Sequence, residues 1–459
     1  MKNSQNLTQG NIGKQMWSIA WPMMLSIFFY TLYNMIDAYW VSKISTNAIA
    51  AVNISQITLF LMMALGMGVT AGSGVLMAME LGAKKVKGAE RILGQSFVLN
   101  IILGLFFTVI ALVFKDGLLT LSGAAGAIFQ PAQEYFTVTA AGSTFFFVLI
   151  AIMFAFNSQG DTFTLTKLFA LSTLINIILD PALIFGWWIF PELGIAGAAY
   201  ATVFSQFIFI VIALYSLSSP KRLVRFHFKN LSIRFQSVKE VMRIGFPAAL
   251  TQILGPIGMA LLMRIASDQY LEAGSVALSL GFRAEAFAYL PAIGYGFAAM
   301  AMVGQSIGAH DIKRAKAVLK KALTYGGGIA LAFGLLVALF APQIIGIFTE
   351  EVLVTDYSLQ YYRSVGLSYV FLAIMMIEAS AFQAIGRSWP GFWISFVRII
   401  IITTPLAYLF SYVLNYDILS VWIAIIIGNI VSAILGYAWI LRIMNRYTFK
   451  KVDAAVESA

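Results

Sequence analysis

The chain has 459 residues, 60% of them hydrophobic and 11% charged, with a formal charge of +10. Soluble domains carry about 25% charged residues, so this composition excludes an ordinary soluble domain and marks an integral membrane protein. Cysteine is absent, which excludes disulfides, thiolate metal sites and cysteine nucleophiles.

At the N-terminus, MKNSQNLTQGNIGKQ is polar and lacks the apolar core and cleavage site of a signal peptide, so the first span is expected to be retained. Apolar runs then predict twelve spans, near residues 15–42, 47–79, 92–114, 133–157, 163–187, 194–217, 240–266, 273–307, 322–342, 358–385, 391–414 and 418–441. Ile44 to Met79 holds no ionisable side chain, enough for a long tilted helix with its connection. Strand-type alternation is absent, which argues against a β-barrel.

The first span contains YTLYNMIDAYWV, residues 30–41, whose only charge is Asp37. A carboxylate in a span costs roughly 2.5–3.5 kcal/mol on insertion scales, so it calls for a functional reason. Tyr30, Tyr33, Asn34 and Asp37 follow i, i+3, i+4, i+7 spacing and share one helix face. Pro22, fifteen residues before Asp37, removes the N–H that would bond the Ser18 carbonyl, so this helix is built to bend. The fourth span opens with Tyr135. The fifth puts Ser172, Asn176 and Asp180 four residues apart on one face, and the sixth aligns Thr202 with Gln206.

The N-terminal half thus offers two carboxylates, an amide and a hydroxyl. Such a set could hold a proton, or coordinate a small cation such as Na+ through oxygen ligands at Asp37, Asn176 and Asp180. Ordinary interhelical hydrogen bonding explains the serines, Thr202 and Gln206 taken singly. It explains Asp37 and Asp180 poorly, because an amide would serve as structural glue at less cost.

Residues 216–240, SLSSPKRLVRFHFKNLSIRFQSVKE, mix Phe with Arg and Lys and read as a linker on the cytoplasmic interface. His227 and His310 fall in charged loops and read as solvated. In GFRAEAFAYLP, residues 281–291, Arg283 and Glu285 sit two apart and point to different helix faces. Arg283 could give cationic control of a cavity. Glu378 lies in the tenth span near Ser380 and Gln383, and Arg398 is also intramembrane. Arg264 and Arg363 lie near span ends and snorkel.

The two halves repeat. LGAKKVKGAERIL at 81–93 aligns with IGAHDIKRAKAVL at 307–319, and FNSQGDT at 156–162 with FQAIGRS at 382–388, both at an offset of 226. IAWPMML at 19–25 aligns with IGFPAAL at 244–250. Each half holds six predicted spans, so both enter from the same side and form a parallel repeat around a central cavity. Asp37 then matches Leu262 and Asp180 falls near Thr404, so the acids are not part of the duplicated scaffold. The fold expected is an all-α membrane protein of about twelve helices in two six-helix bundles. The N-terminal bundle is 1–217, the cytoplasmic linker 218–239 and the C-terminal bundle 240–459.

Of the 30 Lys and Arg residues, 24 fall on the N-terminus, the even-numbered connections and the C-terminus. The positive-inside rule puts both termini in the cytoplasm, so the excess charge is a topology signal and not a nucleic-acid surface.

These features together resemble the multidrug and toxic compound extrusion family over almost the whole chain. The specific parts are WPM followed by MIDAYWV, the LGAKK turn, NIILDP at 176–181, GAAYAT at 197–202 and RAEAFAYLP. NIILDP points to the DinF-like branch. The resemblance implies a cation site at Asp37, Asp180 and Asn176, contributions from Tyr135 and Thr202, bending at Pro22, and a branch-associated arginine at Arg283. The NorM-like branch has an acid in the seventh span. Here FPAALTQILGPIGMALLM has none, and Gln252 is its nearest polar match.

The resemblance implies export of cationic or amphipathic small molecules driven by inward H+, with Na+ the runner-up ion. No organic cofactor and no nucleic-acid partner are expected, and a two-lobed transporter can work as a monomer. The expected place is the plasma membrane: a bacterial inner membrane or archaeal cell membrane. Asn34, Tyr33, Arg283, Glu285, Glu378 and Gln252 are second-tier cavity candidates. The alternative is a lipid or lipid-linked-sugar flippase, although such proteins commonly have extra spans and a strongly cationic cavity. An intramembrane enzyme is disfavoured, since there is no intramembrane His and no G-x-S-x-G or H-E-x-x-H motif.

Overall fold

The computed structural model describes residues 6–447 except Lys221 and Ile233, with the backbone alone described at Leu61. Of the basic residues used for topology, Lys2, Lys221, Lys450 and Lys451 lie outside the described residues. All regular structure among the described residues is helical. The first half runs α1 (Ile12–Ser42), α2 (Thr46–Gly82), α3 (Val86–Val113), a short α4 (Lys115–Leu121), α5 (Phe129–Ala141), α6 (Ser143–Ser158), α7 (Thr162–Ile184) and α8 (Gly194–Ser218). The second runs α9 (Phe235–Gly308), α10 (Ile312–Leu339), a short α11 (Ala341–Gly346), α12 (Val352–Ser364), α13 (Tyr369–Ala384), α14 (Trp389–Phe396), α15 (Thr404–Tyr408) and α16 (Leu419–Asn445).

Ten helical stretches are long and apolar enough to cross a membrane. An eleventh is the bent pair Gly126–Ala141 and Ser143–Ser158, which meet at 48°. The twelfth comes from α9. Its 74 residues would extend about 111 Å as one helix, far beyond a bilayer. Tyr270 (φ −122°, ψ 17°) and Leu271 (φ 57°, ψ −155°) are non-helical and break it into a first and a second arm. The fourth span, expected near 133–157, is the bent pair. Its kink falls at Gly142, where any Cβ would strike Val203 of α8. The eleventh span, Trp389–Val413, carries π-helical turns at Val397–Thr403 and Leu409–Val413.

The internal repeat is visible in the backbone. Adding 226 to the bounds of α3 and α6 gives those of α10 and α13. Lys84 and His310, equivalent by that offset, both adopt a left-handed conformation (φ 60° and 59°), as do Gly160 and Gly386 (φ 70° and 73°). The flanking hydrogen bonds match as well. Lys85 N donates to Glu80 O and Asp311 N to Ser306 O, each at 2.9 Å.

The chain forms two compact units. The first contains Leu25–Ala249 and the second Leu7–Met24 with the described residues from Leu250 to Tyr447. Both helices that open a half therefore change unit two residues after a proline, α1 after Pro22 and α9 after Pro247.

Within the first unit, glycines let helices approach closely: a Cβ at Gly74 would meet Phe154, and one at Gly104 would meet Thr144. Ser26 and Thr166 share a hydrogen bond of 2.9 Å, and the Thr173 hydroxyl donates to Phe29 O at 3.2 Å, which docks α1 on α7. Asp161 caps α7 by accepting from Thr164 N and also pairs with buried Arg222, stapling the linker to this unit. Burial pushes the Arg222 guanidinium down from its ordinary value. In the second unit, Arg314 donates to the carbonyls of Leu7, Gln9 and Gly10 and to Gln15 Oε1, holding the start of the chain. Tyr361 and Trp422 meet edge-on at 4.9 Å in its core.

Candidate functional site

The first unit gathers polar groups from five helices. Asp37 of α1 and Asp180 of α7 are 2% and 0% exposed and close enough to interact electrostatically. Their helical phases explain the meeting: the α1–α7 hydroxyl bonds fix α1 two turns before Asp37. Asn176, one turn before Asp180, donates from Nδ2 to Asp180 Oδ1 at 2.8 Å. Among the described residues, Asp37 Oδ1, Asp180 Oδ2 and Asn176 Oδ1 have no hydrogen-bond partner.

Tyr33 interacts electrostatically with Asp37, Tyr135 and Asp180, and with the Thr202 hydroxyl of α8. Neither the Tyr33 nor the Thr202 oxygen completes a bond of hydrogen-bond geometry. Tyr135 of α5 is 3% exposed and interacts with both acids. Gln56 of α2 interacts with the Tyr135 hydroxyl and is a member that sequence reasoning missed. A lone Gln in an apolar helix looks like any interhelical bridge, so only the fold reveals its neighbour. Asn34 is half-buried and donates to its own helix at Tyr30 O, 2.7 Å away. Ser172 turns to Ser205 O on α8 instead of to the acids.

No cationic side chain enters an interaction with Asp37 or Asp180 among the described residues. Two neighbouring carboxyls without a base are a poor structural device in an apolar medium, where a buried charge must be paired. The open oxygens of Asp37, Asp180 and Asn176 suit a proton or a small hard cation.

The second unit disperses its charged candidates. Arg283 is exposed, with its guanidinium 5.7 Å from the Phe348 ring centroid. Glu285 points elsewhere, is 8% exposed and accepts from the Tyr361 hydroxyl at 3.1 Å. Glu285 also interacts with Arg398 and Tyr289. Arg398, in a π-helical turn, donates to Asn429 Oδ1 at 3.0 Å, and Asn429 donates to Ser368 Oγ at 3.0 Å. Tyr361, Asn429 and Ser368 carry no sequence signal for this network, because each comes from a different element. Gln252 is exposed on the first arm of α9, and Glu378 is buried apart from the other acids.

Among known proteins, the MatE family model matches residues 22–182 and 247–409. The chain is 26% identical over 436 residues to a Thermotoga maritima protein named probable multidrug resistance protein NorM, a match covering 94% of this chain and 92% of that one. It is 25% identical over 438 residues to a Shewanella oneidensis protein named FAD transporter, covering 95% and 96%. A solved structure described as MATE in the bent conformation superposes with a TM-score of 0.89 at 27% identity, covering 98% of each chain.

Proposed function

The chain belongs to the MatE family, and from that premise we propose that it is a secondary active exporter of cationic or amphipathic compounds, exchanging them for inward H+ by alternating access. The observation that carries this reading is the Asp37–Asp180 pair, buried together with no basic side chain among the described residues interacting with either. A cation from outside the protein must then balance their charge, and its arrival or loss changes the stability of the cluster.

Asp37 and Asp180 carry the coupling ion. Asn176 holds one Asp180 oxygen and leaves its own carbonyl for the ion, while Tyr33, Tyr135 and Thr202 form the polar wall. Ion binding biases α1, hinged near Pro22, between two shapes. Substrate selects the opposite shape, so the two are coupled without touching. Na+ is the runner-up ion, on the same oxygen ligands. Arg283 and Gln252 are second-tier cavity groups. The NIILDP segment supports a DinF-like place within the family. The chain moves solutes and does no covalent chemistry, uses no organic cofactor, and works as a monomer in the plasma membrane with both termini cytoplasmic. The basic residues on the inward connections support that orientation.

The experiment is efflux from liposomes loaded with a fluorescent lipophilic cation, under an imposed H+ or Na+ gradient, for wild type and Asp37→Asn. H+-driven efflux lost in the variant is the expected result. Efflux driven by Na+ alone would keep the exporter and change its ion. If neither gradient works, or Asp37→Asn behaves as wild type, the exporter reading fails and lipid flipping by the same liposomes becomes the reading to test. The Shewanella relative's name makes FAD a necessary second substrate in the panel.

A further inference from the structure

The second unit buries an acid that the ion cluster of the first unit does not use. Glu378 of α13 is 1% exposed, and neither carboxylate oxygen has a hydrogen-bond partner among the described residues. Its seat is made by Gly436 of α16, where a Cβ would overlap Oε2, and Ile394 of α14 closes the same side. Ser432 lies one turn before Gly436 on the same face of α16, and its buried hydroxyl also lacks a partner.

The elements around α13 bring few groups that could hold a charge. α10 carries the bases of its first turns and Tyr325, α16 carries Tyr437 and Arg442, and the second arm of α9 carries Glu272, Arg283, Glu285, Tyr289 and Tyr295. α14 has no charged or titratable side chain. Lys316 is engaged by Asn445, Arg314 by the start of the chain, and Arg398 by Asn429. None of these groups interacts electrostatically with Glu378.

Glu80 of α2 gives the contrast. It is equally buried, its oxygens also lack hydrogen-bond partners, and Gly88 makes room for it as Gly436 does for Glu378. Lys85 and Arg91 act on Glu80, however. Lys85 and Arg91 favour the charged form of Glu80 against its burial, and among the described residues no base acts on Glu378. In this conformation a buried carboxylate with neither base nor donor is held as the acid, and it gives up its proton only when water reaches it. Glu378 also lies six residues from the end of α13, about 9 Å along the axis, where the chain reaches Arg387 and the basic connections.

We propose that Glu378 is a second proton-binding site, in the second unit, loaded and emptied in each cycle separately from Asp37 and Asp180. Its part in coupling rests on the proton-driven reading above. One O–H bond forms when water on one side delivers the proton, and the same bond breaks when water on the other side takes it.

The test uses the full chain in liposomes. Infrared difference spectra between acid and alkaline pH are compared for wild type, Glu378→Gln and Asp37→Asn. A protonated-carboxyl band that titrates, disappears in Glu378→Gln and persists in Asp37→Asn is expected. The absence of any titrating band lost in Glu378→Gln overturns the proposal. The proton-to-substrate ratio, read from the gradient at which net flux stops, is expected to fall to about half in Glu378→Gln, as one of two proton sites is removed. An unchanged ratio overturns it. If Glu378→Gln does not fold, Glu378→Asp keeps an acid on a shorter stem, and the band must move; an unmoved band overturns the assignment. If the wild type shows no proton-driven transport, the exporter reading fails by itself, and the infrared titration still decides whether Glu378 exchanges its proton.

Discussion

In the first unit Asp37 and Asp180 share a cluster with Asn176, Tyr33 and Tyr135, whereas in the second Glu285 has Arg398 and tyrosines, and Glu378 has no partner among the described residues. The scaffold beneath is the same. The left-handed residues Lys84 and His310, the paired turn bonds and the bounds of α3 and α10 all repeat at one offset. Turn geometry and helix packing preserve a duplication because every neighbour depends on them. Inward side chains diverge more easily, provided their partners change too. Asp37 has an amide, hydroxyls and a second acid within its cluster. Leu262, its counterpart, packs in the core that holds Tyr361 and Trp422.

The strongest way to break this comparison is to exchange the side chains. Leu262→Asp puts an acid among groups that cannot serve it, and we expect a loss of roughly 2.5–3.5 kcal/mol. Asp37→Leu removes a buried acid from its cluster. It should unfold no more easily than wild type while losing ion-driven export, the usual exchange between stability and function. Thermal unfolding in detergent, paired with liposome efflux, measures both. A Leu262→Asp protein as stable as wild type would mean that the second unit retains a usable ion cluster.

A smaller effect separates the two amides. Asn176→Ala removes the donor to Asp180, a hydrogen bond to a chargeable group worth about 1.5–3 kcal/mol. The driving-ion concentration for half-maximal efflux should therefore shift by about tenfold or more. Asn429→Ala removes the acceptor of Arg398 in the other unit and should leave that concentration where it was. Equal shifts in the two variants would dissolve the distinction between the units.

Much of this was legible in the residues themselves. Apolar runs located the spans because a bilayer demands long helices with internal hydrogen bonds. Four-residue spacing placed Asn176 and Asp180 on one face, and the fold joins that face to Asp37. What could not be read depends on neighbours distant in sequence. The need for glycine at the Gly142 kink follows from Val203, and the role of Gln56 follows from Tyr135. Arg398 was visible as an intramembrane charge, but its partner Asn429 lies on another helix with no spacing to betray it. Pro22 announced a bend, yet the sequence alone does not say that α1 belongs to the second unit up to Met24 and to the first from Leu25.

The finest test concerns the scaffold that the two units share. Gly160 and Gly386 adopt nearly the same left-handed conformation at equivalent turns, and each turn closes with matching bonds, Asp161 N to Phe156 O and Arg387 N to Phe382 O. A Cβ in that conformation costs about 1–2 kcal/mol. Gly160→Ala and Gly386→Ala should thus lower thermal stability by similar amounts and leave the ion dependence of export unchanged, since neither turn holds a residue of the proposed ion cluster. The sequence around them has already diverged: Asp161 pairs with Arg222 on one side, while Arg387 stands in its place on the other. Equal losses would show that backbone geometry survived this divergence as an independent constraint. Unequal losses would place the constraint in the Asp161–Arg222 staple, and the turns would then be alike in shape but no longer in energy.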